Sequence, residues 1–180
     1  MALTPTLNSL EALYRKLERE LYRAYHHRNS THKADHFFNF CVTAHSMRDY
    51  FLERSGNLER AARQPLESQW ADDPLLTAIA EIANSSKHFV LRNRRTLTPK
   101  ASTTKKVGLG KGKFADIYMS PQGEIKAIPI TLPDITITLS DGQKYDLYNF
   151  MNEAIKYWKS FLNDQGIRIR RQPFSQLRGE

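Results

Sequence analysis

Residues 82–95 read IANSSKHFVLRNRR. A helix-like apolar start runs into a string of cations, with Asn84, Lys87 and His88 between them. An imidazole titrates near neutrality, so His88 could move the proton of a 2′-hydroxyl or of a leaving oxygen in RNA cleavage. Asn84 stands one helical turn earlier, where an amide can orient the ring. Arg48 and His45 make a second cation–imidazole pair on another helical stretch. A guanidinium there could carry the charge that develops on a scissile phosphate. A plainer reading competes at each position. His88 and Asn84 would cap a helix end, and His45 with Arg48 would be a polar tie between two helices.

The cations around this stretch suggest a polyanion. Net charge is +8, and its distribution matters more than its size. No acidic residue lies between Glu81 and Asp116. That window holds Lys87, Arg92, Arg94, Arg95, Lys100, Lys105, Lys106, Lys111 and Lys113, so the rest of the chain is close to neutral. A block of like charge is either a solvated loop or an electrostatic footprint for nucleic acid. A smaller basic run, IRIRRQPFSQLRGE, closes the sequence.

Other chemistries find less support. VGLGKGKF (107–114) interleaves Gly108, Gly110 and Gly112 with Lys111 and Lys113, residue types that suit a phosphate cradle. It lacks the G-K-[ST] ending and the flanking strand and helix of a nucleotide loop, so a flexible basic hairpin or linker is expected. His32 and His36 have the i,i+4 spacing of a metal pair, but only Asp35 accompanies them, and no metal or cofactor is expected. Cys41 falls on an apolar stripe and reads as core. One cysteine allows no internal disulfide, which suits a reducing compartment. The apolar runs are too short to cross a membrane, and charge interrupts the first of them, so a cytoplasmic protein without a signal peptide is expected.

Four helices and a sheet would have to position these groups. Leu10, Leu13, Leu17, Leu21 and Ala24 predict a first helix over 10–25, capped by Asn8 with Glu11. Phe37, Phe38, Cys41, Ala44, Phe51 and Leu52 predict a second over 33–54, capped by Ser30 or Thr31. Residues 55–73 read as a connection with one helical turn. Asp73-Pro74 opens a third helix, with Leu75, Leu76, Ile79 and Ile82 inward and Glu81, Asn84, His88 and Arg92 on the other side. Residues 96–113 read as a basic flexible loop. FADIYM, EIKAIPI, ITITL and KYDLYNF read as three or four short strands separated by the turns SPQG and SDGQ. The last helix, over 147–163, carries Phe150, Met151, Ala154, Trp158, Phe161 and Leu162 on one face.

FFNFCVTAHSMRDYF (37–51) and IAEIANSSKHF (79–89) resemble paired motifs of a set of bacterial and phage-borne proteins of HEPN-like helical type. The match covers about a third of the chain, Asp35 to Phe89. HEPN ribonucleases carry an R-N-x-x-x-H signature and cut RNA without metal, using groups that converge across a dimer. The signature's asparagine and histidine fall on Asn84 and His88. Its arginine position is Ala83, so the resemblance implies that another cation, with Arg48 the best placed, takes that role.

The expected protein is therefore α+β: a HEPN-like four-helix bundle over 7–95 and 147–164, with a β insertion over 114–146 before the last helix and a basic tail over 165–180. It would bind RNA or DNA through Lys87, Arg92, Arg94, Arg95, Lys105, Lys106, Lys111 and Lys113, in a mobile-element or defence setting. The alternatives are a metal-independent ribonuclease using His88, Arg48, Asn84 and His45, and a protein–protein module. The generous stripe on the last helix suggests a homodimer.

Overall fold

The computed structural model describes residues 6–56, 59–85 and 103–170. These form five α-helices and one three-stranded antiparallel sheet, an α+β fold. No described helix is long and apolar enough to cross a membrane.

Helix α1 (Leu10–His26) is capped by Ser9 rather than Asn8: Ala12 N–H donates to Ser9 Oγ at 3.1 Å. Helix α2 (Ser30–Arg54) begins three residues before the expected start. Its cap is Asn29, whose Oδ1 accepts from Thr31 N–H at 2.9 Å and His32 N–H at 3.1 Å. Ser30 and Thr31 therefore lie inside the first turn. The segment expected as a connection holds a full helix, α3 (Arg60–Asp72), with Pro65 in its interior. Its one buried side chain, Trp70, packs against Phe51, Trp158 and Phe161 with ring centroids 5.7–6.3 Å apart. Helix α4 (Pro74–Ser85) follows at once, and Leu76 N–H donates to Asp73 Oδ1 at 3.0 Å as that pair of residues predicts.

The stretch expected as a flexible loop is, from Thr104 onward, the first strand, β1 (Thr104–Met119). EIKAIPI and ITITL are not two strands but one, β2 (Ile125–Leu139). Only the first three residues of KYDLYNF are extended, as β3 (Lys144–Asp146). Asp146 then caps α5 (Leu147–Asp164), accepting from Asn149 N–H at 2.8 Å. The strand order is β1-β2-β3, so β1 is an edge along its whole length. β1 and β2 pair without interruption from Lys106↔Thr138 to Met119↔Ile125, a two-stranded ribbon about 45 Å long at roughly 3.3 Å per residue.

One core joins all five helices to the inner end of the ribbon. Ile135, Ile137 and Leu139 of β2 are buried with Phe37, Phe40, Met47, Phe150, Trp158 and their neighbours. The apolar stripe of α5 is consumed here: Phe150, Met151, Ala154, Trp158 and Leu162 are fully buried within one chain. It leaves no surplus surface, so it gives no ground for the expected homodimer.

Alkali is expected to weaken this core. Burial raises the Cys41 thiol and the Tyr14 phenol far above their ordinary values, and Tyr145 and Tyr157 rise for the same reason. Stability from these groups is complete below their unfolded pKa values, about 8.5 and 10, and is lost as pH climbs through the raised native ones. Burial depresses the Lys16 and Lys33 ammonium groups, which adds stability as pH rises only up to about 10.4. Urea midpoints should therefore fall above about pH 10. Tyr14→Phe should flatten that fall, and an unchanged slope would contradict it.

Candidate nucleic-acid interface

The proposed groups lie in three places. His88, Lys87, Arg92, Arg94 and Arg95 lie outside the described residues. Asn84 is half-buried in the last turn of α4. His45 and Arg48 meet on α2, where the Arg48 guanidinium contacts the His45 imidazole, its Nη2 3.3 Å from Nε2 and closer still to Nδ1. A guanidinium has only donors, so the ring nitrogen is the acceptor. Burial depresses the basicity of Arg48, and the carboxylates of Asp49 and Glu67 oppose that shift. Glu67 comes from α3, the helix that periodicity did not reveal.

Lys105, Lys106, Lys111 and Lys113 all stand exposed on β1. None forms an ion pair with a described residue. Lys105 is the extra residue where the register shifts between Thr104 and Lys106. Strand alternation then puts Lys106 on one face and Lys111 and Lys113 on the other. The cations thus flank the open edge of β1 on both sides. Unpaired backbone N–H groups along that edge add donors for an anion.

The three alternate glycines share the face of Lys106. Gly112 has an internal reason: a Cβ there would come within 2.7 Å of the Phe114 ring and 2.9 Å of an Asp134 carboxylate oxygen. At Gly110 a Cβ would meet nothing within 4 Å, and at Gly108 its nearest neighbour would be 3.7 Å away. Neither needs glycine for its backbone angle. Their bareness leaves this part of the strand open to close approach from outside.

Two anchors hold the strand in place, besides an exposed ion pair in which Arg28 Nη2 donates to Asp116 Oδ2 at 3.1 Å. At its start, Thr103 N–H and Thr104 N–H donate to the two carboxylate oxygens of Glu81 on α4, at 3.0 and 2.6 Å. At its middle, Phe114 packs at the α1–α2 elbow, its ring centroid 6.0 Å from that of Tyr25 and 5.9 Å from Lys33 Nζ. Lys33 is fully buried and donates to the carbonyls of Ala24 and Tyr25, both at 2.9 Å. Sequence reasoning missed both anchors. Lys33 read only as a helix start, and Glu81 only as one of the residues on the side of the third helix opposite its apolar stripe.

Among the described residues, the β1 lysines and the Arg48–His45 pair lie apart. Lys33 and Arg48 are fifteen positions apart on one helix, about 22 Å along its axis. Lys111 and Lys113 adjoin Phe114 at the Lys33 end, far from the Arg48–His45 pair. At that same end, His27 Nδ1 accepts from Asn29 N–H at 3.2 Å, leaving Nε2 to face His32 Nδ1 at 3.2 Å. His36 Nδ1 lies 2.9 Å from the buried Glu20 carboxylate. With a nitrogen of each ring already engaged, His32 and His36 read as elbow bonding.

Comparison of the chain with protein-family models, with curated proteins and with solved structures finds no match.

Proposed function

We propose that this protein binds nucleic acid through the lysine-flanked edge of its β-ribbon, carried on a helical body of HEPN-like type in the mobile-element or defence setting that resemblance implies. The observation that carries the reading is the row Lys105, Lys106, Lys111 and Lys113, exposed and without ion partners among the described residues, on a strand whose outer edge is open. Two antiparallel strands are narrow enough to enter a duplex major groove, about 12 Å wide. Phosphates meeting four lysines release counterions, so affinity should depend steeply on salt. Lys87, Arg92, Arg94 and Arg95 would extend the same footprint. The test is binding of the whole protein to duplex DNA and to RNA between about 50 and 200 mM salt. Affinity independent of salt, or no binding at all, defeats the reading.

The glycines offer a sharper check. Gly110→Thr is expected to raise the melting temperature, because a β-branched residue replaces glycine in a strand with room for it. The same change should weaken nucleic-acid binding by blocking approach to the strand. Tighter or equal binding would show that the ligand does not touch this face.

One observation favours a second reading, metal-independent RNA cleavage by His88 with Arg48. Arg48 is half-buried and already held against an imidazole, that of His45. Under this reading His88→Ala and Arg48→Ala each abolish cleavage while binding persists. RNA left intact by the wild-type protein would remove it.

A further inference from the structure

At its base the sheet turns one face to the helices and leaves the other open. Ile135, Ile137 and Leu139 of β2 point into the core, so the residues between them point the opposite way. Paired residues of a ladder share a face. On the open face Lys106 pairs with Thr138 and Thr138 with Lys144, and the next row reads Gly108, Thr136, Asp146. The two lysines thus stand about 10 Å apart across three strands spaced at roughly 4.8 Å. Both are exposed, and neither forms an ion pair with a described residue. The two carboxylates of this face are engaged. Asp146 caps α5, and Asp134 accepts from Ile135 N–H at 2.9 Å and lies near the Lys33 ammonium. Aromatic rings stand beside the face. Two residues beyond Asp146, Tyr148 is 43% exposed, and its ring centroid lies 5.0 Å from that of Tyr25. Tyr25 meets His26 at 5.0 Å and Phe114 of β1 at 6.0 Å.

We infer that this face takes a single-stranded stretch of nucleic acid, with one unpaired base stacked on Tyr148 and backbone phosphates on Lys106 and Lys144. The inference rests on the nucleic-acid reading and specifies its ligand. Three features select a single strand. A base inside a duplex hides its faces between its neighbours, so only an unpaired base can lie against a side-chain ring. Tyr148 is placed to offer such a ring: it is tilted 54° to Tyr25 and keeps nearly half of its surface in water, instead of closing into the core as Phe150 does. Gly108 and Gly110 add no side chain to the same face, so a nucleotide backbone can come down onto the strand. The cations without acidic partners then meet the phosphates. Lys106 belongs both to this face and to the open edge of β1. One ligand with a duplex part and a single-stranded part can therefore occupy the two surfaces together.

Fluorescence anisotropy of the full chain with a single-stranded oligonucleotide of about ten residues, and with a blunt duplex of the same sequence, tests it. Tyr148→Leu is expected to weaken single-strand binding about tenfold, the scale of stacking one base on an aromatic ring. It should leave the salt slope, the blunt-duplex affinity and the helical circular dichroism unchanged. Tyr148→Phe should bind as the wild type does. Lys144→Gln should lower the single-strand slope of log affinity against log salt by about 0.7. An aminopurine base in the oligonucleotide reads stacking directly: its fluorescence should fall on binding to the wild type and to Tyr148→Phe, and persist with Tyr148→Leu. Undiminished single-strand binding by Tyr148→Leu overturns the inference. So does an equal loss on the blunt duplex, which would put Tyr148 against paired bases. A wild type that binds the blunt duplex with a steep salt slope but not the single strand overturns this inference alone. One that binds neither removes the nucleic-acid reading as well.

Discussion

Lys33→Ala is expected to destabilise the protein by about 3 kcal/mol, the scale on which removing one partner of a buried charged cluster acts. The amine is fully buried and donates to the carbonyls of Ala24 and Tyr25 in the last turn of α1. Those carbonyls lie where a helix runs out of its own donors, and a cation there also complements the helix dipole. The Phe114 ring and the partly buried Asp134 stand near the same ammonium. Alanine removes the donor and the aliphatic stem together, leaving two unsatisfied acceptors and a void. Lys33→Met separates the contributions. It keeps most of the volume and removes the cost of burying a charge, so it should cost roughly half as much. Urea denaturation measures both. A loss under about 1 kcal/mol for alanine would mean that the amine does not hold the elbow. The ribbon is attached through this corner, so a loosened elbow should also weaken nucleic-acid binding without touching a lysine of β1.

The sequence revealed this fold wherever burial is one-sided and regular. α1, α2, α4 and α5 bury stripes at helical spacing; of the three caps expected, Asp73 of α4 is the one found, while α1 and α2 are capped by neighbouring residues, Ser9 and Asn29. α3 escaped because only Leu66 and Trp70 face the core over thirteen residues, with Pro65 beside the first of them. Two apolar residues make no period, and the helix is held by what Trp70 meets across the core. β1 escaped for a different reason. Its residues 104–113 bury almost nothing, so composition read as a loop, yet a backbone ladder to β2 needs no apolar pattern. Pro129 and Pro133 made β2 look like two strands. Four residues apart, they direct their missing N–H groups to the same edge, which a ribbon tolerates. Of the site, the lysines were legible as charge, whereas the alignment that spaces them along one open edge comes from the ladder. Lys33 and Glu81 were illegible because a polar residue whose partners are backbone groups far along the chain leaves no local mark.

Replacing Lys105, Lys106, Lys111 and Lys113 together with glutamine should leave the fold intact and reduce duplex affinity by roughly a thousandfold near 0.1 M salt. All four side chains are exposed and unpaired among the described residues, so each change should alter stability by less than about 0.5 kcal/mol. Glutamine is chosen over an apolar residue because β1 is an open edge that lysine guards against pairing with other chains. Each lysine–phosphate pairing accounts for about 0.9 of the slope of log affinity against log salt. Replacing the full set should therefore lower that slope by about 3.6, and Lys111→Gln with Lys113→Gln by about half as much. Slope separates the mechanisms better than affinity. A variant that binds weakly with an undiminished slope is impaired in shape or orientation. One that binds weakly with a flattened slope pairs with fewer phosphates. An unchanged slope in the fourfold variant would move the interface off the ribbon altogether, leaving Lys87, Arg92, Arg94 and Arg95 as the cations to replace next.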